Sequence, residues 1–251
     1  MTLSVGQKVT TLPNGLALAA KRIPGIELKG TSGINQTVGA TLETVCTQGG
    51  IRNLLSSAEQ LKIVSSSAND TNSGSAHARR VKIRGVDGSG NILEENVNLN
   101  GTAAVTTVGS YRHVNNLFVN KVGTGSNFNE GVISVKNNAA DTVLYEIAAL
   151  EGQQQSASFA VPLSHFGYMT SFVTTSTGAA QVSVWINKAP DASTAFKQVL
   201  TTITGGGAPV TYNLPNPFQV PGGGIVEFRA KSLSGGNVAV AADFQLLLEK
   251  E

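Results

Sequence analysis

The residue types that most readily act as metal ligands, general bases or nucleophiles are scarce: three histidines, His77, His113 and His165, and one cysteine, Cys46. No histidine stands at chelating spacing from another His, Cys or carboxylate, so no metal centre is expected. Cys46 lies in the strand-like TLETVCT with no base beside it and reads as a small buried hydrophobe. Glu94 and Glu95 are the nearest thing to a hydrolase carboxylate pair, but strand neighbours point to opposite faces. Asp87-Gly-Ser-Gly-Asn91 fails the calcium-loop pattern at Ser89 and Ile92 and is expected to be a hairpin turn. Gly123-Thr-Gly125 lacks the third glycine of a dinucleotide fingerprint, so no cofactor is expected. The densest charge cluster is Arg80, Lys82 and Arg84, with Arg79 beside it. Two readings of it stand: a solvated strand face, or cationic forks set at two-residue spacing for an acidic partner.

These residues must be positioned almost wholly by strands. The chain has 251 residues and 28 glycines, is rich in Val, Thr, Ser and Asn, and is only 14% charged, against about 25% in an average domain. Strand-sized runs recur at 59–66, 79–86, 91–99, 102–108, 113–119, 131–136 and 142–147, with Asp87-Gly88 and Asn100-Gly101 as turns of a meander. In 79–86, Val81 and Ile83 take the core face, which turns Arg80, Lys82 and Arg84 outward. The polar EGQQQ at 151–155 is read as a joint. After it come eight more short runs, 156–161, 168–175, 180–187, 195–203, 208–213, 218–220, 224–231 and 237–248, separated by Gly- and Pro-rich turns. The expected fold is therefore all-β: an extended N-terminal arm (1–35), an N-terminal β domain (36–150) and a C-terminal β-sandwich or jelly-roll-like domain (151–251). Within the arm Leu16, Leu18, Ile23, Ile26 and Leu28 stand between Pro and Gly breaks and are read as partner contacts.

Net charge is only +2, far from the concentrated basic surface of a nucleic-acid binder. One cysteine suits a reducing compartment, and no apolar stretch reaches membrane-spanning length or forms a signal peptide with a basic start. Neither nucleic acid nor membrane is expected as a partner. Sheets with few edge charges leave strand edges that a symmetric homo-oligomer, a trimer for preference, would cover.

Residues 65–135 combine a Ser/Asn/Asp/Thr/Gly loop, a basic-apolar strand, the turn Asp87-Gly-Ser-Gly-Asn91, the run Leu99-Asn-Gly-Thr102 and a return through Asn129-Glu-Gly-Val-Ile133. This segment resembles one in structural proteins of tailed bacteriophages, marine ones especially. The second half, with Phe159-Ala-Val-Pro162, Tyr168-Met-Thr-Ser-Phe172, Val182-Ser-Val-Trp-Ile186 and Pro221-Gly-Gly-Gly-Ile-Val-Glu-Phe-Arg-Ala230, looks like a sandwich module of the same virion proteins. The resemblance implies a class and no active site: a non-enzymatic virion protein, made in the host cytoplasm and binding the capsid or other virion proteins. A head decoration, cement or knob protein is the first expectation, and a neck or tail protein the next. A second class is a binding module whose sandwich holds a host receptor or surface glycan; a virion depolymerase would need a carboxylate cluster.

Overall fold

The computed structural model describes residues 23–74, 76–188 and 196–251, and every regular element in them is a strand. In chain order these are β1 (Ile26–Val38), β2 (Glu43–Thr44), β3 (Glu59–Ser65), β4 (Ala78–Asp87), β5 (Ile92–Asn98), β6 (Val105–Val122), β7 (Ile133–Asn137), β8 (Val143–Ile147), β9 (Ser158–Ala160), β10 (His165–Ser176), β11 (Ala180–Asn187), β12 (Phe196–Thr204), β13 (Val210–Val220), β14 (Ile225–Ser232) and β15 (Val238–Lys250). No helix among the described residues is long and apolar enough to cross a membrane. All strand pairings are antiparallel, as expected for a chain of short β-branched runs joined by tight turns.

Two sheets, β1-β15-β10-β13 and β12-β11-β14-β2 with β9 also paired to β14, enclose one apolar core. Its centre is a run of rings, Phe172 stacked on Tyr212 at 4.6 Å and Phe228 stacked on Phe244 at 5.1 Å, surrounded by Val182, Val184, Val226 and Leu246. The third sheet, β5-β4-β6-β3-β7-β8, has its own core around Leu61, Ile63, Ile83, Tyr111 and Leu117. It curls on itself, so that Tyr145 of edge strand β8 reaches β6 and accepts a backbone hydrogen bond from Val114 at 3.2 Å. Bulges in β6 supply the bend.

Sheet membership corrects the linear order read from the sequence. β1 pairs along most of its length with β15, from Ile26↔Glu249 to Val38↔Val238, and β2 pairs with β14. Residues 26–35, expected in an arm, are thus an edge strand of the sandwich, with Ile26 and Leu28 half-buried in it and Ile23 just before it. Leu16 and Leu18 lie outside the described residues. The chain begins the sandwich, leaves it to build the six-stranded module from β3 to β8, and returns to finish it. The six-stranded module is an insertion whose two crossings lie side by side: Thr47 N donates to Gln155 O at 3.0 Å and Ala157 N to Val45 O at 2.9 Å.

Two runs also merge differently from expectation. The Pro215-Asn-Pro217 turn sits inside edge strand β13, where the register to β10 slips between Phe218 and Asn213 and the missing proline donors are harmless. The edges are better guarded than composition suggested, with Lys29 on β1, Lys197 on β12, two prolines on β13 and Glu94 and Glu95 on β5. Open edges therefore give the expected trimer no support.

The seam leaves no room at Gly33 of β1, where a Cβ would stand 2.0 Å from Ala157 N and 2.5 Å from Val45 O. Backbone cannot yield there as a side-chain tip would. Gly33→Ala is expected to cost about 1–3 kcal/mol in chemical unfolding, whereas Gly30→Ala, on the same strand in open space, should change stability far less.

Candidate functional site

The polar chemistry converges where the crossings meet the two cores. Arg52, in the loop after β2, is fully buried and places Nη2 2.9 Å from Glu227 Oε2 on β14, whose side chain is 1% exposed. Arg229 Nε donates to the other Glu227 oxygen at 2.7 Å, and the Thr44 hydroxyl donates to it at 3.2 Å. The Arg52 backbone N donates to Thr44 Oγ1 at 3.0 Å, and its Nη1 donates to Ser156 Oγ at 3.4 Å. The guanidinium also lies over the Tyr145 ring, 5.3 Å from its centroid. One cation thus touches the sandwich, both crossings and the far edge of the inserted sheet.

Cys46 and His113 belong to this neighbourhood and are silenced by it. Cys46 is wholly buried, and burial, only partly opposed by the Arg52 charge, pushes its thiol up to about 12, which keeps it protonated at neutral pH. Its reading as a buried hydrophobe agrees with this. His113 is buried with Nδ1 3.3 Å from the Tyr145 hydroxyl. Burial first, then the Arg52 and Arg112 charges, hold its imidazolium well below the usual histidine range. The arrangement holds modules together; it does not present a thiolate or a base to solvent.

His77 is half-buried with Nε2 3.8 Å from Glu130. That loop is organised from within by buried Asp70, which accepts from Ser65 Oγ at 2.6 Å and from the backbone N of Glu130 and Gly131 at 2.9 Å. His165 is half-buried at the start of β10 beside Ser164. Among the described residues no three His, Cys, Asp or Glu side chains are placed to hold a metal.

The basic stripe lies on β4 with the parity expected: Val81 and Ile83 are fully buried and Arg84 is exposed. It is not a bare row of cations. Glu94 on β5 faces it, with Lys82 Nζ at 2.7 Å and Arg84 Nε at 2.8 Å, and Arg80 Nε donates to Asn120 Oδ1 at 3.1 Å. The Lys82 hydrogen bond chiefly, against a smaller effect of burial and helped by Arg84, keeps the Glu94 carboxyl below its usual range. Glu95 points the other way and accepts from Val108 N and Gly109 N at 2.8 and 3.0 Å, so the two glutamates do not converge.

Beside the stripe, between β4–β6 and strands β1, β15 and β10, lies a half-open cleft of about 590 Å³, with the 153–162 segment contributing to its wall. Arg84, Glu94 and Asn116 line one side and Lys29 and Asp243 another. Sequence reasoning found the stripe but missed Arg52, Glu227, Tyr145 and the cleft. Arg52 and Glu227 are 175 positions apart, and nothing local marks either as buried.

No family model and no curated protein matches the chain. Among solved structures, a particle of the Gx strain of infectious bursal disease virus is 10% identical over 90% of this chain and 76% of that one, with a TM-score of 0.23. The T13 particle of the same virus is 14% identical over 93% and 78%, with a TM-score of 0.22. Superposition at that level bears on neither fold nor function.

Breaking a buried ion pair from one side strands the other charge. Arg52→Met or Glu227→Gln is expected to lower unfolding free energy by about 3–5 kcal/mol, and the Arg52→Met/Glu227→Met double variant by less than the sum of its singles. A second expectation concerns pH. His113 has a lower pKa folded than unfolded, so its contribution to stability is complete above about pH 6.5 and declines as pH falls below that value, where the unfolded chain takes up the proton and the folded one does not. The lowered carboxyl pKa values, such as that of Glu94, contribute stability that is present above the usual carboxylate range and is lost only as pH falls through that range and below it. Urea titrations between pH 7.5 and 5 should show the decline, and His113→Gln should flatten it.

Proposed function

We propose that this chain is a non-enzymatic structural protein of a tailed-phage virion, a head decoration, cement or knob protein that binds the capsid shell, with a neck or tail position as the alternative. What carries the reading is the direction in which its chemistry faces. The groups that would do catalysis in an enzyme, Cys46, His113 and Tyr145, are buried around Arg52 and join an inserted module to a sandwich. The chain is Ser/Thr/Asn-rich and sparsely charged, which suits a subunit packed in an assembly. The likeness of residues 65–135 to phage structural proteins points the same way, and that segment makes up most of the six-stranded module, its two ends tied by Asp70. The β4 stripe is the contact surface in this reading: Glu94 neutralises only part of Arg80, Lys82 and Arg84, which leaves net positive charge toward an acidic shell. The homo-oligomer, a trimer for preference, would form at the particle, and a host surface glycan is a partner only in the alternative class.

The test is association with purified particles encoded with this chain. The protein should co-purify with them, and replacing Arg80, Lys82 and Arg84 together by Gln should weaken re-binding and reduce its dependence on salt while leaving the unfolding midpoint nearly unchanged. Absence from the particle overturns the reading. Re-binding that is unaltered at every salt concentration removes the stripe from it.

A further inference from the structure

We propose that the cleft between the inserted sheet and the sandwich binds a neutral oligosaccharide. Its volume of about 590 Å³ lies within the roughly 300–1,000 Å³ of small-ligand sites. Its polar lining is dominated by amides and hydroxyls, and its charged side chains balance, Lys29 and Arg84 against Glu94 and Asp243, with Arg84 2.8 Å from the Glu94 that Lys82 shares and Lys29 2.5 Å from Glu27. A phosphate or other strongly anionic ligand would need cations free of such partners. A polyol needs instead many donors and acceptors at fixed positions, with apolar surface for its C–H faces. Ile92, 57% exposed at the cleft, and the half-buried Val173 offer that surface.

The wall is also preorganised and incomplete. Residues 152–154 are held to β6 by a single bridge, Val119 N donating to Gly152 O at 2.7 Å and Gln154 N to Leu117 O at 2.8 Å. The Gln154 side chain lines the cleft, and its Oε1 is buried without a hydrogen-bond partner. A buried acceptor in that state is destabilising, and because it has no solvent exposure, a rotation of the Gln154 side chain is what would bring it to a sugar hydroxyl in the cleft. Asp243, an exposed carboxylate in the same lining, can accept from two adjacent hydroxyls.

This inference does not rest on the shell-binding reading. Saturation-transfer NMR and calorimetry on the full chain with maltotriose, cellotriose and chitotriose should show saturable binding of at least one. Gln154→Leu should weaken that binding tenfold or more without lowering the unfolding midpoint, since it replaces a stranded acceptor by an apolar group of similar size, and Asp243→Ala should weaken it severalfold. Saturable binding of none of the three sugars overturns the proposal, as does binding that both variants leave undiminished. Neither result touches the particle-association test, so the two readings fail separately.

Discussion

The buried Arg52–Glu227 pair is the constraint on which the rest of the molecule depends. A guanidinium with no exposure must have its charge matched in place, and here the match comes from Glu227 on a sandwich strand, the Ser156 hydroxyl and the Tyr145 ring, while the Thr44 hydroxyl holds Glu227 and the Arg52 backbone N. Each partner belongs to a different stretch of chain. The pair is therefore satisfied only when the crossings, the sandwich and the curled inserted sheet are all in their final positions. Replacing it by apolar residues would fill the same space with less directional demand, so what it adds is a single permitted docking of one module on the other.

An insertion makes that demand necessary. Two chain crossings joined only by a short ribbon would leave the inserted sheet free to swing, as most connections between modules do. Three other contacts close the seam: the missing Cβ at Gly33, the Asn115 side chain exchanging two hydrogen bonds with the Ala160 backbone at 2.7 and 2.9 Å, and a small apolar patch of Val86, Ala160 and Ile225. The same closure leaves the cleft, because a curled sheet set against a twisted one touches along a line and diverges on either side. Rigidity of the seam and preorganisation of the cleft thus have one origin.

Burial at the seam also decides which chemistry remains available. Cys46, His113 and Tyr145 would be reactive in water. At the seam the thiol stays protonated and the imidazole neutral, and their polar atoms serve packing. What faces solvent is the β4 stripe with its Glu94 counter-charge and the amide-rich cleft, both suited to recognition.

By itself the sequence determined whatever has a short period. Alternation put Val81 and Ile83 inside and Arg84 outside, adjacency sent Glu94 and Glu95 to opposite faces, and Asp87 and Asn100-Gly101 closed their turns, Asp87 by accepting from Ser89 N and Asn91 N at 2.8 Å and Gly101 by taking φ 61°. These follow from geometry within a few residues. Only the tertiary structure decided that Ile26 lies opposite Glu249, that β13 runs through two prolines, and that Arg52 meets Glu227. An antiparallel edge accepts any strand of suitable pattern, so partner choice across some two hundred residues is set by the packing of the whole, and a charged residue carries no local mark of being buried. For that reason the broken 1–35 segment read as an arm, while its second part, 26–35, became the strand that completes the sandwich.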